Sequence, residues 1–254
     1  MHSCRENRSF LSAGIVLVSL AVWSGALSRP AGAVEAGAVS TSRSTPPAAP
    51  CEAVAVDVTG AAPDEKALIC RAAQRSVEFF RRCKLKSSGR IRIEVVAGAL
   101  DVCGVDVFGS YDASTETVRI VNLKRCTAMA GEVAEYRAPP VEQFYGSIVA
   151  HEAAHYVFRK LTRDHSYSHA THEYVAYAAQ IDSMPPAVRK NFLKSISRPL
   201  PSDLSHFVDI VLMLAPARFG AMAYDHFSAP GNGCRMLRGL VAGTIEFPSI
   251  DEVD

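Results

Sequence analysis

The sequence predicts an α+β fold, with short strands followed by a helical second half. Charged and β-branched residues alternate over residues 90–96, as in a half-buried strand. Two more alternating segments, 105–110 and 116–121, flank the turn-like sequence Asp112-Ala113-Ser114 and predict a hairpin. These segments together predict a small antiparallel sheet over roughly residues 90–122.

The composition fits a globular protein and gives no electrostatic reason to expect nucleic acid as a partner. The chain has 254 residues, of which 48% are hydrophobic and 21% charged, and its formal net charge is +1. A chain so near charge balance lacks the basic surface on which nucleic-acid binding depends. This length fits one large domain or two small ones, with a core of ordinary size.

The N-terminal segment, residues 1–33, has the three regions of a secretory signal peptide. Two arginines precede an apolar segment over 11–27, and Ala31-Gly32-Ala33 has the small residues of a cleavage site. The alternative is an uncleaved membrane anchor, because the apolar segment is close to the minimum length of a span. Residues 34–50 are small, polar and Pro-rich, which predicts a flexible tether. We therefore expect a folded domain over 51–254. The protein is expected to be secreted or periplasmic, and not to be held in a membrane once the signal peptide is cleaved.

Cysteine usage also indicates an oxidising compartment. Loss of Cys4 with the signal peptide leaves six cysteines, an even number that allows up to three disulfides. The sequence leaves their connectivity open, with one preference: Cys103 and Cys126 lie just outside the two arms of the predicted hairpin. The sequence has no Cys-x-x-Cys, which argues against a thiolate zinc site.

Helix signals occur on both sides of the predicted sheet. Pro63-Asp64-Glu65 begins a helix that ends near Cys83, with acidic residues at its start and basic residues at its end, as the helix dipole favours. Residues 141–160 have no polar face, and such a helix is usually buried. The remaining predicted elements are a strand over 54–58, helices over 171–181, 203–214 and 216–226, and a short helix after Gly233.

The centre of the buried helix reads His151-Glu152-Ala153-Ala154-His155. Residues four apart lie on one helix face, so the two imidazoles can bind a single metal ion. Glu152 is rotated away from that pair, where it can reach a water without being a ligand. A hydrogen-bonded histidine pair in a core is the simpler alternative. Burying two imidazoles and a carboxyl group nevertheless costs free energy unless a partner satisfies them.

This pattern resembles the His-Glu-x-x-His motif of zinc metallopeptidases. The resemblance implies that Zn2+ polarises the scissile carbonyl and lowers the pKa of a water, whose proton Glu152 accepts. The Gly and third His that extend the motif in metzincins are absent from the sequence after His155. Glu173, in Glu173-x-x-Ala176, instead resembles the glutamate ligand of the gluzincin branch, which includes thermolysin. The chain thus resembles small exported metallopeptidases over roughly residues 64–181, which implies a zincin-like fold.

The resemblance makes Glu173 the expected third ligand. The 17 residues between His155 and Glu173 leave room for a loop and an antiparallel return of the next helix. The competing ligands are His172 and the loop residues Asp164, His165 and His169. Gluzincins often carry an Asp shortly after the glutamate to orient an imidazole, but Ala176 and Tyr177 stand there in this sequence. Asp182 and Asp225 are the substitutes that the sequence offers.

Two residues are candidates for stabilising the charge that develops during hydrolysis. Tyr177 follows Glu173 by one helical turn and lies on the same face. His169 belongs to a donor-rich linker between the two helices. Tyr224 and His226 are remoter candidates in the C-terminal helices, and each of the four can instead be a surface or packing residue.

The expected function is therefore an exported zinc metallopeptidase that acts on peptide or protein substrates. The sequence assigns His151, His155 and Glu173 to the zinc and Glu152 to general base catalysis. One alternative is a non-catalytic exported binding protein on the same scaffold, with a structural metal or none. Another is a di-iron helical bundle, suggested by Asp203-x-x-His206 together with the central motif, but it requires two further glutamates and no sheet.

Overall fold

The computed structural model describes residue 51 and residues 55–102, 104–163, 165–196 and 204–247. The predicted signal peptide and tether lie outside the described residues. The strands are β1 (Val56–Thr59), β2 (Ile91–Val96), β3 (Asp101–Val102), β4 (Val105–Asp106), β5 (Gly109–Asp112) and β6 (Thr117–Val121). The helices are α1 (Pro63–Arg82), α2 (Leu123–Glu132), α3 (Val141–Leu161), α4 (His169–Ser183), α5 (Pro186–Ser195), α6 (Asp209–Leu214), α7 (Pro216–Ser228) and α8 (Gly233–Val241).

The central sheet is mixed, with the strand order β1-β2-β6-β5. The β1–β2 and β2–β6 pairs are parallel, and only β5 runs antiparallel to its neighbour β6. The predicted hairpin is thus confirmed, whereas the prediction of a wholly antiparallel sheet is wrong. The reason is that the chain does not return directly from β2 to β6: it first runs back through β5 at the edge of the sheet, so β6 enters beside β2 in the same direction. The helix α1 connects β1 to β2, and a helical crossover likewise allows that pair to lie parallel. Residues 105–106 leave the hairpin and pair with β3 in a separate two-stranded ribbon.

The strand β2 shows how the sequence determines the two faces of the sheet. Ile91, Ile93 and Val95 are buried, while Arg92 and Glu94 between them are exposed. Side chains alternate across a strand, so this pattern places one face against the core and the other in solvent. The apolar face of the sheet belongs to the same core as α1, α3 and α4.

The helix α1 joins the sheet layer to the helices that carry the candidate site. It begins at Pro63, as predicted, and carries Asp64 and Glu65 in its first turn. The Glu65 carboxylate accepts hydrogen bonds from the Leu123 backbone N–H at 2.6 Å and from the Tyr145 hydroxyl at 2.9 Å. One carboxylate therefore links α1 to the start of α2 and to α3.

The helices α3 and α4 form the centre of the molecule. Residues 144–158 of α3 are all buried, as its uniform hydrophobicity predicts. The helix α4 begins after Ser168, whose side chain accepts a hydrogen bond from the Thr171 backbone N–H. It packs between α3 and α7. The predicted helix over 171–181 is thus confirmed and is two residues longer at each end.

The C-terminal segment differs from the prediction mainly between residues 204 and 214. The predicted helix over 203–214 is replaced by a short 3-10 helix, Leu204–His206, and by α6, while Asp203 lies outside the described residues. The Phe207 ring separates the two elements because it is buried against Tyr174 and Phe219. The helices α7 and α8 follow where the sequence predicts them, and α2 and α5 are additional.

Two disulfides connect distant parts of the chain. Cys51 pairs with Cys70 in α1, and Cys83 at the end of α1 pairs with Cys234 in α8. Such bonds are typical of proteins that fold in an oxidising compartment. The Cys126 thiol is free and buried, so the predicted pairing of Cys126 with Cys103 is not confirmed, and Cys103 lies outside the described residues. Among the residues described, no helix is both long and apolar enough to cross a membrane.

Candidate metal centre

The packing of α3 against α4 brings together the three residues that the sequence assigns to a metal. One ligand atom from each of His151, His155 and Glu173 lies within 4.8 Å of the others. The two imidazole Nε2 atoms are 3.2 Å apart. His151 Nε2 lies 3.4 Å from one Glu173 oxygen, and His155 Nε2 lies 3.3 Å from the other. This buried group can hold a metal ion, because two imidazoles and a carboxylate are ligands that zinc accepts.

The chemistry of these donors fits a cation better than a hydrogen-bonded core cluster. The three side chains are at most 1% exposed. Two ring nitrogens face each other beside a carboxylate, and within the described part of the chain neither Glu173 oxygen has a partner of hydrogen-bond geometry. Burying such groups without full pairing is costly, and a divalent cation would satisfy all of the lone pairs together.

The three ligand residues also shift one another's pKa values. Burial tends to raise the pKa of Glu173, but the electrostatic interaction with His155 and the contacts from His151, His155 and His169 outweigh it, so this pKa lies well below its usual range. Burial lowers the pKa of His155, against the opposing effect of Glu173. The resulting state, an ionised carboxylate beside a neutral imidazole, is the protonation state in which both groups bind metals.

Glu152 lies next to the ligands on α3 but is not one of them. Its side chain is fully buried, and neither of its carboxyl oxygens has a hydrogen-bond partner among the described residues. Burial raises the pKa of Glu152 well above its usual value, and the negative charge of Glu173 adds to this effect. The β5 backbone comes close at Gly109, where an added Cβ would be 2.7 Å from Glu152 Cγ. A larger residue at this point of β5 would therefore displace the Glu152 side chain.

The sequence analysis missed Gln180, which contacts a candidate ligand directly. Gln180 Oε1 lies 3.0 Å from His151 Nδ1. The residues that the sequence offered for this role lie elsewhere: Asp182 pairs with Arg82 and Arg189, and the contact to His151 comes from Gln180 rather than from Asp225. Gln180 is seven residues after Glu173, or two turns further along the same helix face. Extending that face beyond Tyr177 would have identified it.

Tyr177 lies beside the ligands, as its position on α4 predicts. Its ring packs edge-on against the His151 ring, with the centroids 4.7 Å apart. Its hydroxyl is buried and, within the described ranges, has no hydrogen-bond partner. Burial raises the pKa of Tyr177, and the nearby Tyr136, Glu173 and Glu152 raise it further, so the hydroxyl keeps its proton. The arrangement leaves a neutral donor beside the candidate metal centre.

Comparison with known families places this chain in one of them. Residues 56–249 match the family described as "Family of unknown function (DUF6639)". The chain belongs to this family. The matched range of DUF6639 contains the central sheet and every residue of the candidate metal centre. The search of curated proteins found no match, and the search of solved structures found none either.

His169 lies beside the candidate metal centre and is partly exposed. It precedes Glu173 by one turn of α4, and its Nε2 lies 3.3 Å from Glu173 Oε1, while 28% of its side chain is exposed. Among the described residues, the ligand atoms that lie within 4.8 Å of one another come from His151, His155 and Glu173, and not from His169. His169 therefore lies between the buried ligands and the solvent.

The other sequence candidates lie outside the ligand group of the DUF6639 domain. The His172 ring is 6.4 Å from the His155 ring, and burial lowers its pKa to about 3. His165 packs near Tyr167, and Asp164 lies outside the described residues. His226 Nδ1 contacts the Tyr174 hydroxyl, and Tyr224 packs against Arg189. The sheet argues against the di-iron bundle, which requires an all-helical core.

Proposed function

We propose that this domain is an exported zinc-dependent peptidase on a zincin-like scaffold. His151, His155 and Glu173 would hold the zinc, and Glu152 would act as general base. One observation carries the proposal: a buried carboxyl group lies beside three converging ligand atoms. Within the described chain, this carboxyl group has no hydrogen-bond partner. A buried carboxyl that neither ligates nor pairs is costly to keep, and proton transfer to and from a substrate would account for it.

Each residue of the site has a role that its surroundings support. The zinc, when bound, would polarise the scissile carbonyl and acidify a water. Glu152 would accept a proton from that water and return it to the departing amine nitrogen. Burial raises its pKa, which is the direction in which enzymes tune a general acid–base carboxyl group. The Tyr177 hydroxyl would donate a hydrogen bond to the oxyanion of the substrate.

The position of β5 supports a peptide as the substrate. It is the last strand in the order of the central sheet, and its Gly109 lies against Glu152. The backbone of an edge strand can pair with an extended peptide, which would hold the scissile bond close to Glu152 once the elements that bury residues 109–111 have moved. This arrangement favours peptide or protein substrates over small molecules.

A structural zinc in a non-catalytic binding protein is the second candidate, and one observation favours it. The ligands are at most 1% exposed, whereas a catalytic zinc needs a position open to water and substrate. In the peptidase, His169 or the elements covering the ligands would therefore have to move when a peptide enters. In the non-catalytic protein, His169 would stay beside Glu173 and close the site.

The two functions are separated by replacing Glu152 with Gln. The purified protein should contain one zinc per chain and should cleave an unfolded polypeptide, with cleavage lost on chelation. The E152Q variant should retain the zinc and lose at least about 10²-fold in cleavage rate, because it keeps the shape but not the basicity. The matched control is E142Q, the same change at an exposed position of α3, and it should cleave as the parent does.

Other results would contradict the peptidase. A parent protein that binds one zinc, melts at a higher temperature with it and cleaves nothing would support the structural zinc. Equal cleavage by E152Q and the parent would remove Glu152 from the mechanism. A folded protein that takes up no zinc at all would end both metal proposals.

A further inference from the structure

A continuous hydrogen-bonded chain runs from the α3 backbone to the first candidate ligand. The Ser147 hydroxyl donates to the Phe144 carbonyl at 2.7 Å. The Gln180 amide nitrogen donates to Ser147 Oγ at 3.4 Å, and Gln180 Oε1 contacts His151 Nδ1 at 3.0 Å. Ser147, His151 and Gln180 are all buried, so solvent does not compete for these groups.

The direction of each bond in this chain follows from donor and acceptor chemistry. The Ser147 proton is used on the Phe144 carbonyl, so Ser147 Oγ is left as an acceptor for the Gln180 amide nitrogen. That fixes which way the amide faces and turns its oxygen toward His151. An amide oxygen only accepts, so the Nδ1 of His151 must carry the proton.

We propose that Gln180, oriented by Ser147, is a positioning residue that holds His151 in the Nδ1–H tautomer and so leaves its Nε2 lone pair for the metal. The Nε2 atom is the one that faces His155 and Glu173. Gln180 differs from a carboxylate in one respect: a neutral amide oxygen fixes the tautomer without adding negative charge near the cation. The cation would then keep more of its positive charge for polarising a substrate.

This inference rests on the metal site of the proposed function but not on hydrolysis, and it holds equally for a structural zinc. His155 provides an internal contrast, because its Nδ1 atom is buried and has no hydrogen-bond partner in the described chain. We therefore expect the effect of Gln180 to be confined to His151.

The test replaces Gln180 with Leu, which has similar size and cannot accept a hydrogen bond. Zinc affinity is measured by competition with a chromophoric chelator, and the imidazole tautomers are read from long-range 1H–15N correlations of the metal-free protein. Q180L should bind zinc about 10- to 100-fold more weakly and lose the single Nδ1–H tautomer at His151. Q180E, whose carboxylate can still accept from Nδ1, should retain most of the affinity. The control is Q74L, the same change at an exposed position of α1.

The possible outcomes separate this inference from the proposed function. Unchanged zinc affinity in Q180L, or the same His151 tautomer in Q180L and the parent, would overturn it. If Q180L does not fold, S147A takes its place, since it removes only the group that orients the amide, and an unaltered tautomer in S147A would equally overturn it. If the parent binds no zinc, the metal site itself fails, while the tautomer of the metal-free protein still decides whether Gln180 orients His151.

Discussion

Glu152 and Glu173 are two fully buried carboxyl groups whose surroundings shift their pKa values in opposite directions. Two imidazoles lie beside Glu173 and keep it ionised. Glu152 has no such partner, and the charge of Glu173 pushes its pKa upward in addition to burial. Neighbouring groups with divergent pKa values commonly divide the roles of charged ligand and proton carrier. These opposite shifts are consistent with the separate roles proposed for the two carboxyl groups.

At the level of a single hydroxyl, we predict that Tyr177→Phe lowers kcat by about 10²- to 10³-fold, the effect of losing one oxyanion donor. The change removes the hydroxyl but keeps the ring that packs on His151. Zinc content and KM should therefore stay near the parent values. Steady-state kinetics with metal analysis would check this, with Y224F in α7 as the control. A variant with unaltered kcat would exclude Tyr177 from transition-state stabilisation.

His172 makes the stability of the metal-free protein sensitive to acid. Burial lowers its pKa to about 3, from 6.5. As pH falls below 6.5, the His172 imidazole binds a proton in the unfolded chain but not in the folded protein. The free energy of unfolding therefore falls until the pH reaches the pKa that His172 has in the folded protein. H172Q removes this contribution, and the stability of the parent relative to H172Q should therefore decrease from about pH 7 to about pH 4.

Urea unfolding across that pH range measures the effect directly. H165Q, the same change at an exposed position, is the control for the loss of an imidazole as such. Parallel curves for the parent and H172Q would show that His172 is not kept neutral by burial.

At the scale of elements, the contact between β5 and α3 determines where Glu152 can lie. We predict that Gly109→Ala displaces the Glu152 side chain, because the new Cβ would be 2.7 Å from Glu152 Cγ. Crowding of this kind costs about 1–3 kcal/mol of stability. The variant should keep its zinc, since the ligands lie on α3 and α4, and should lose most of its cleavage activity. Gly98→Ala is the control, because nothing lies within 4 Å of a Cβ there. Full activity in G109A would mean that β5 does not position Glu152.

Periodicity explains which elements the sequence could predict. The i, i+4 spacing of His151 and His155 is local information, and so is the apolar face of α3, so both could be read before the fold was known. Strand direction is not local: β2 alternates in the same way whether its neighbours are parallel or antiparallel. The position of Gln180 on the same α4 face as Glu173 is local information as well. A neutral amide, however, is not a residue type that by itself indicates a metal site.

At the scale of the whole molecule, the two disulfides enclose very different lengths of chain. Cys51 and Cys70 are 19 residues apart, whereas Cys83 and Cys234 are 151 apart. The longer loop begins at the end of α1, closes at the start of α8 and contains every residue of the candidate metal centre. A cross-link stabilises a protein mainly by restricting its unfolded chain, and the restriction grows with the logarithm of loop length.

We therefore predict that removing the disulfide that closes the longer loop lowers the free energy of unfolding more than removing the other disulfide. On the chain-entropy model, the double variant C83A/C234A should lose about 5 kcal/mol of unfolding free energy and C51A/C70A about 3 kcal/mol. Denaturant unfolding of the oxidised proteins measures both, and reduction of the parent should approach the sum. The proposed zinc, whose ligands lie inside the longer loop, should recover part of the loss in C83A/C234A by mass action when it binds the folded state. If the two double variants lost equal stability, loop length would not determine what each disulfide contributes. Effects of the disulfides on the folded state would then have to account for their contributions.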